Sequence, residues 1–128
     1  SGLVQVCSDL VGYNLPRDAK DQVGSSLLYE VSKDKIEPGD LIYFKEKNSV
    51  SHVGIVHPRI YLNQKIRDRY WLTDSSSWTG YVNTIEIKIH HDEIIPLYNY
   101  ESSGYIDIVN YDLKPMKLYK IMRFKDDA

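Results

Sequence analysis

Residues 38–44 read Pro-Gly-Asp-Leu-Ile-Tyr-Phe, and residues 51–56 read Ser-His-Val-Gly-Ile-Val. Proline presets one backbone angle of a tight turn and glycine supplies the left-handed one, so the first segment predicts a turn followed by an apolar strand. The second segment is rich in β-branched residues and predicts another strand. A short polar loop lies between the two strands. The order turn, strand, loop and strand is the strongest indication of fold in the chain.

Two short helices are predicted before this pair of strands. Apolar side chains recur at helical spacing in residues 3–11, which predicts a helix with one buried stripe. The residues of that stripe are Leu3, Val6, Cys7, Leu10 and Val11. Gly12 is placed to end this helix, and residues 15–17 (Leu-Pro-Arg) predict an extended exit, because proline disfavours the helical conformation of its predecessor. Asp18 can cap a second helix that runs through about Val23.

More strands follow, and they define the fold class. Residues 70–74, 81–89 and 118–124 each predict a strand. Two helices followed by a run of antiparallel strands indicate an α+β domain with a sheet of about five strands. Residues 90–117 are interpreted as a surface excursion of the same single domain, which spans residues 1–128.

Composition restricts the classes of function. The chain has 128 residues, 42% of them hydrophobic, which is enough for one core without a metal or a disulfide. Sixteen basic and 18 acidic side chains give a net charge of −2, so charge offers no reason to expect nucleic acid as a partner. No apolar run reaches the length of a membrane-spanning helix, and membrane insertion is not expected. Because the chain opens directly on a predicted helix, we expect it to be the C-terminal part of a longer protein.

The two quoted segments resemble the NlpC family of papain-like cell-wall peptidases. The family pattern is close to P-G-D-L-hydrophobic-F-F, then a loop, then S-H-V-G-I. A third match precedes them, since the family carries D-C-S-G-hydrophobic-V-Q on a helix, then a glycine, then L-P-R and a polar stretch that ends in glutamine. The corresponding residues here are 1–5 (Ser-Gly-Leu-Val-Gln), Gly12, 15–17 and Gln22. The resemblance covers residues 1 to about 76 and implies a papain-like domain with short N-terminal helices packed on an antiparallel sheet.

In the register of this resemblance, the nucleophilic cysteine of the family falls immediately before Ser1. A thiolate at the N-terminus of a helix faces unpaired N–H groups and the positive end of the helix dipole, both of which favour the reactive anion. Cys7 is the alternative nucleophile. With Cys7 as the nucleophile, the number of residues between the cysteine and Leu15 would be about half of that in the family, and the thiol would lie in the apolar stripe. Cys7 is therefore interpreted as a core residue.

His52 is the predicted general base, since it is the histidine of the S-H-V-G sequence of the resemblance, and its imidazole is expected within proton-transfer reach of a thiolate just ahead of the first helix. The third catalytic member would orient its imidazole from the next strand, where the register favours Thr73 and the chemistry of a carboxylate favours Asp74. The choice between Thr73 and Asp74 stays open. Ser1, Gly2 and Arg17 match positions near the nucleophile and are predicted to bind substrate. His90 and His91 are adjacent and would diverge in a strand, so no metal site is expected.

The resemblance implies hydrolysis of peptidoglycan stem peptides, at the bond between γ-D-glutamyl and a diamino acid, through a thioester and without a cofactor. It also implies a location in the bacterial envelope or outside the cell, with wall-binding domains upstream in the same chain. This activity requires a cysteine before Ser1. The alternative is an inactive module of the same fold that binds cell-wall peptides or a protein. An acyltransferase or amidase acting on lipids is a third interpretation, for which no apolar anchoring segment is visible.

Overall fold

The computed structural model describes residues 2–10, 12–56, 69–75, 82–101, 104–106 and 116–125. Two α-helices come first, α1 (Gly2–Leu10) and the one-turn α2 (Ala19–Gln22), and a 3-10 turn (Lys33–Lys35) follows the first strand. The strands are β1 (Leu28–Val31), β2 (Leu41–Glu46), β3 (Ser49–Val56), β4 (Arg69–Ser75), β5 (Val82–His90), β6 (Glu93–Glu101), β7 (Gly104–Ile106) and β8 (Met116–Phe124).

All described strand pairs are antiparallel, and the strand order is β1-β8-β2-β3-β4-β5-β6-β7. An additional pairing of β6 with β8, through Glu93 with Lys117 and Ile94 with Met116, closes six of these strands into a ring. The backbone N–H of Leu118 also donates to the carbonyl of Asp92 at 2.6 Å across this closure. The sheet is therefore curved back on itself, with an inner face and an outer face.

Each face of the sheet has its own apolar cluster. The inner cluster contains Val31, Ile42, Phe44, Val56, Leu72, Ile87, Ile89, Ile94 and Ile121. The outer cluster joins the helical segments to the sheet and contains Val4, Leu15, Ala19, Leu28, Leu41, Tyr43, Val53 and Met122. Residues 41–44 of β2 are all buried because both faces of this central strand are covered, which explains the continuous apolar run in the sequence.

The order of helices and antiparallel strands agrees with the α+β expectation, but the sheet is larger than the predicted five strands. The interpretation of residues 90–117 as a surface excursion is wrong for β6, where Ile94 is fully buried. The polar sequence around His91 is a tight turn, with His91 at φ 55°, and it returns the chain along β5. Residues 107–115 of the predicted excursion lie outside the described part of the chain.

The predicted stripe of α1 has the wrong phase. Val4 and Ser8 face the core, at 2% and 3% exposure, whereas Leu10 is 81% exposed. The Ser8 hydroxyl donates to the Val4 carbonyl at 2.6 Å, so a small polar side chain is satisfied within the helix and can face the sheet. The side chains of Leu3 and Val6, and residue Val11, are outside the description. None of the helices in the described ranges is long and apolar enough to cross a membrane.

Candidate functional site

The Pro-Gly-Asp turn is fixed by the side chain of Asp40. This carboxylate accepts from the backbone N–H of Glu37 at 2.8 Å, which closes the turn. It also accepts from Arg123 of β8, from Nε at 2.7 Å and from Nη2 at 2.9 Å. The bond to Asp40 holds the pKa of Arg123 above its usual range, so the guanidinium stays charged. Backbone bonds between Val56 and residues 39–40 then attach the turn to β3. The turn is a structural anchor that sets the register of β2 and β3.

His52 lies in β3 opposite Phe44 of β2 and is half-buried. The two rings meet edge to face, with 5.2 Å between centroids and an interplanar angle of 82°. The ladder between β2 and β3 shifts register just beyond this pair, between Phe44 and Lys45. The imidazole is therefore held against an aromatic ring at the point where the strand pair becomes irregular.

Gly54, two residues after His52, leaves room for a neighbouring strand. A Cβ atom at this position would lie 3.1 Å from Leu72 Cδ1 and 3.3 Å from Leu72 Cβ. Leu72 belongs to β4 and is 1% exposed, so it has little freedom to move away. The glycine of the Ser-His-Val-Gly sequence is therefore required by the close packing of β4 on β3.

Thr73 and Asp74 both lie in β4, and the backbone register separates them. β4 pairs with β3 through Ile55 with Thr73 and Val56 with Leu72. Since paired residues of an antiparallel ladder share a face and successive residues alternate, the position of Thr73 belongs to the face of Ile55. The position of Asp74 belongs to the opposite face, which by the same alternation is the face of His52. Their side chains are outside the described part of the structure.

The first helix lies next to β3 and β4. Val4 of α1 belongs to the same apolar cluster as Val53, and it lines a pocket with Ile55. His52 alternates with Val53 and contacts Phe44, a member of the inner cluster. α1 and His52 are thus on opposite faces of β3, whereas the sequence led us to expect the imidazole beside the start of α1.

The start of α1 is the other half of the predicted site. α1 begins at Gly2, and its first N–H groups are those that a helix leaves without intrahelical partners. Ser1 lies outside the described residues, and the predicted nucleophile would precede it. The helix carries no acidic side chain in its first turn that would oppose a thiolate there.

Cys7 is exposed, so its interpretation as a core residue is wrong. It lies on the flank of α1, where it lines a shallow apolar pocket of about 170 Å³ with residues that include Leu41 and Ile55. The reason is the helix phase described above, in which Val4 and Ser8 take the core-facing positions. In a helix the position of Cys7 lies well away from the N-terminal N–H groups that would activate a thiol.

The backbone of the Leu-Pro-Arg segment is bound by the side chain of Gln22. In the sequence this residue was noted only as the glutamine that ends the third family motif. Gln22 is fully buried, and its Nε2 donates to the carbonyls of Pro16 at 2.9 Å and Arg17 at 3.2 Å. Its Oε1 accepts from the Tyr43 hydroxyl at 3.1 Å. The side chain of Arg17 is exposed. Its backbone is therefore fixed while its guanidinium stays accessible.

Two of the other histidines lie at the turn between β5 and β6. The rings of His90 and His91 are 4.3 Å apart at the exposed turn between β5 and β6, and His57 is outside the description. Within the described ranges, no three His, Cys, Asp or Glu side chains are grouped as metal ligands would be. Arg123, which the sequence reasoning missed, is 83 positions from Asp40 and gave no local signal.

Comparison with known proteins finds one family. The model of the NlpC/P60 family matches residues 1–91, which include α1, the Leu-Pro-Arg segment, the Pro-Gly-Asp turn and the Ser-His-Val-Gly strand. No match is found among the curated proteins or the solved structures. The family match covers well over half of the chain. The chain therefore belongs to the NlpC/P60 family, a family of the cell-wall peptidase type.

Proposed function

We propose that this chain is the catalytic domain of a cysteine endopeptidase that hydrolyses peptidoglycan stem peptides between γ-D-glutamyl and a diamino acid. The observation that carries the proposal is the family match over residues 1–91. The fold supports it to the extent that the matched segments meet around one strand. β3 contains His52, pairs with β2 after the Pro-Gly-Asp turn, pairs with β4, and has α1 next to it.

In this mechanism, a cysteine before Ser1 supplies the nucleophile at the N-terminus of α1. The thiolate attacks the amide carbon, His52 delivers the proton to the leaving amine, and the amide bond breaks to leave a thioester. Water then attacks the thioester with His52 as general base, which releases the acid and restores the thiol. Backbone N–H groups at the start of α1, including that of Gly2, would stabilise the oxyanion.

For the third member we propose Asp74, with Thr73 as the alternative. This choice is supported by the backbone register of β4 on β3, in which the positions of Asp74 and His52 belong to the same face, and by the chemistry of a carboxylate, which fixes the imidazole tautomer and stabilises the imidazolium. Arg17, Ser1 and Gly2 are proposed to contact the substrate. The family is typically associated with the cell envelope, and we propose a periplasmic or secreted location with wall-binding domains upstream.

The test uses the full-length protein with the residue before Ser1 established as cysteine. Purified muropeptides are digested and the products identified by mass spectrometry. His52→Ala is expected to reduce kcat/KM by at least ~10²-fold, and Asp74→Asn by more than Thr73→Val. A larger loss in Thr73→Val would transfer the orienting role to Thr73. Cleavage by His52→Ala at the rate of the parent would exclude His52 as the base.

One observation favours a second candidate function. His52 packs on Phe44 on the face of β3 opposite α1, so an imidazole in this orientation faces away from the side of the sheet on which α1 packs. The domain would then be a module that binds cell-wall peptides without cleaving them. Muropeptide binding without turnover, in reducing buffer with the cysteine present, would support this function and exclude the peptidase.

A further inference from the structure

Phe44 of β2 pairs with His52 of β3 at an irregular point of the sheet. The next residue of β2, Lys45, pairs with Val50 and not with Ser51, so β3 carries one extra residue here. Ser51 is exposed. A bulge of this kind bends the strand and redirects the side chains beside it, and bulges are common next to functional sites. The direction of the His52 side chain is therefore influenced by a local distortion of β3.

A second irregularity lies on the other edge of β2, one residue earlier. Tyr43 pairs with Lys120 of β8 and the next residue, Phe44, pairs with Leu118. The strand β8 therefore carries Tyr119 as an extra residue, and this side chain is 40% exposed. Phe44 is thus the residue of β2 at which both neighbouring strands have a bulge. Its own side chain stays in the inner cluster, at 6% exposure, whereas the extra residue of each neighbour is exposed.

The Phe44 ring is held by the inner cluster and contacts the His52 imidazole. Other members of that cluster include Ile42 and Ile121, each at most 2% exposed. The rings of Phe44 and His52 meet edge to face, with 5.2 Å between centroids. The torsion that rotates a histidine ring has only broad preferences of its own, so neighbouring groups must set the ring orientation. Because the energy of an aromatic pair depends on its tilt, a fixed phenyl ring favours one orientation of the imidazole.

The orientation of the ring matters for a general base, because a nitrogen of the imidazole must point at the group whose proton it takes. A misplacement of about 1 Å can lower the rate on the order of a hundredfold. A side chain that holds a catalytic group is effective when its own rotamer is locked by packing. Phe44 meets this requirement, since it is buried in the inner cluster and paired with a strand on each side.

We propose that Phe44 is a positioning residue for His52, which holds the imidazole in the orientation used for proton transfer. This rests on the proposed function, because that function makes His52 the general base. Phe44 has no group that exchanges a proton, so its effect belongs to the chemical step and not to substrate binding. The aromatic ring is the property that this role requires, and a buried aliphatic side chain of similar size does not supply it.

Steady-state cleavage of purified muropeptides tests this inference in the full-length protein with a cysteine before Ser1. Phe44→Leu keeps a buried apolar side chain but removes the ring. It is expected to lower kcat about tenfold, with KM changed by less than about twofold. Phe44→Tyr keeps the ring and is expected to retain kcat within about threefold of the parent. If Phe44→Leu does not fold, Phe44→Met serves instead, because its flexible side chain adapts to the space of the ring.

Two further measurements separate positioning from a general loss of packing. Ile87→Val removes one carbon atom from the same inner cluster, on β5, which β4 separates from β3. It is expected to lower the urea midpoint of unfolding and to leave kcat unchanged. In NMR spectra, the ring protons of His52 are assigned by their absence in His52→Gln. They are expected to shift in Phe44→Leu, which removes the ring current of the adjacent phenyl group, and to keep their parent positions in Ile87→Val.

The outcomes for Phe44 and for the peptidase are separate. A parent that does not cleave muropeptides loses the proposed function, and a shift of the His52 ring protons in Phe44→Leu would still support the positioning contact. If the parent cleaves, an unchanged kcat in Phe44→Leu, or an equal loss of kcat in Ile87→Val, would overturn the inference. A higher kcat in Phe44→Leu would also overturn it, because the contact would then hold the imidazole away from the thiol. Ring protons of His52 that do not shift in Phe44→Leu would exclude the contact itself.

Discussion

The carboxylate of Asp40, with a side chain 2% exposed, receives two hydrogen bonds from the guanidinium of Arg123, at 2.7 and 2.9 Å. Asp40 ends the turn at residues 37–40 and directly precedes β2, and Arg123 lies near the end of β8. Nη2 of Arg123 also donates to the carbonyl of Lys35 at 2.8 Å. One ion pair therefore joins the central turn of the family pattern to a strand that lies beyond residue 91, where the family match ends.

Arg123→Met should destabilise the protein, because it leaves the Asp40 carboxylate buried without its cation. We expect a loss of about 3 kcal/mol in the free energy of unfolding, measured by urea denaturation. Lys120→Met is the matched control, since Lys120 lies 4.0 Å from Glu30 and both side chains are exposed. Its expected change is below about 0.5 kcal/mol. Similar losses in the two variants would contradict a special role for the Asp40 pair.

Gly54→Ala should destabilise the packing of β4 on β3. The added Cβ would meet Leu72 at 3.1 Å, and overpacking in a core of this kind costs about 1–3 kcal/mol. In a Leu72→Ala background the same substitution should cost less, because the opposing side chain is gone. Gly24→Ala is the control, as its Cβ would meet nothing closer than Asp21 O at 3.8 Å. Additive losses in the double variant would exclude the clash as the cause.

Tyr43→Phe should lower the free energy of unfolding by about 1–2 kcal/mol, because it leaves the buried Oε1 of Gln22 without the hydroxyl that it accepts from. Tyr13→Phe is the matched control, since the Tyr13 hydroxyl donates to Lys125 O at 3.2 Å at an exposed position. Its loss should be within about 0.5 kcal/mol. If both variants lose the same amount, burial of the Gln22 bond is not the determining factor.

The same tyrosine predicts a dependence on alkaline pH. Burial raises the pKa of Tyr43 above its usual value of 10.0. As the pH rises, Tyr43 ionises in the unfolded chain before it ionises in the folded protein. The contribution of Tyr43 to the free energy of unfolding is therefore fully present below pH 10 and decreases as the pH rises toward the raised pKa. The parent should therefore lose stability more steeply above about pH 10 than Tyr43→Phe does. Parallel pH profiles of the two proteins, from denaturation at each pH, would contradict this.

Asp92, at the closure of the strand ring, should titrate below its usual value. A hydrogen bond from Lys117, at 3.2 Å, lowers the pKa of Asp92 from 3.8. The contribution of the Asp92–Lys117 pair to the free energy of unfolding is present above pH 3.8 and is lost as the pH falls through the lowered pKa. Carboxyl chemical shifts in an NMR titration should show the Asp92 pKa moving up in Lys117→Met. Lys120→Met, which removes another exposed cation of β8, should leave it unchanged.

Cys7→Ser should leave both fold and activity intact. The Cys7 side chain is exposed on the flank of α1, so we expect the free energy of unfolding to change by less than about 0.5 kcal/mol. A thiol reagent should modify Cys7 in the folded protein, as monitored by mass spectrometry. Loss of muropeptide cleavage in Cys7→Ser, with the cysteine before Ser1 intact, would indicate that Cys7 is the nucleophile. It would contradict the proposal that the nucleophile is the cysteine before Ser1.

The sequence by itself determined the local structure and the family. The turn at residues 37–40, the strands that contain Tyr43 and His52, and a helix opening at Gly2 follow from short-range preferences of proline, glycine and β-branched residues. The same residues form the ordered motifs on which the family resemblance rests, so α1, the turn and β3 could be predicted without coordinates.

Tertiary structure alone decided the long-range relationships. The Arg123 bond to Asp40, the pairing of β6 with β8, and the burial of Ser8 in place of Cys7 depend on which surfaces meet when the sheet closes. Strand register also decides which face a residue occupies, because a slip of one residue exchanges the faces. That is why the choice between Thr73 and Asp74 stayed open in the sequence, and why the face of His52 differed from the expectation. Such relationships join residues far apart in the chain, and local preferences carry no information about them.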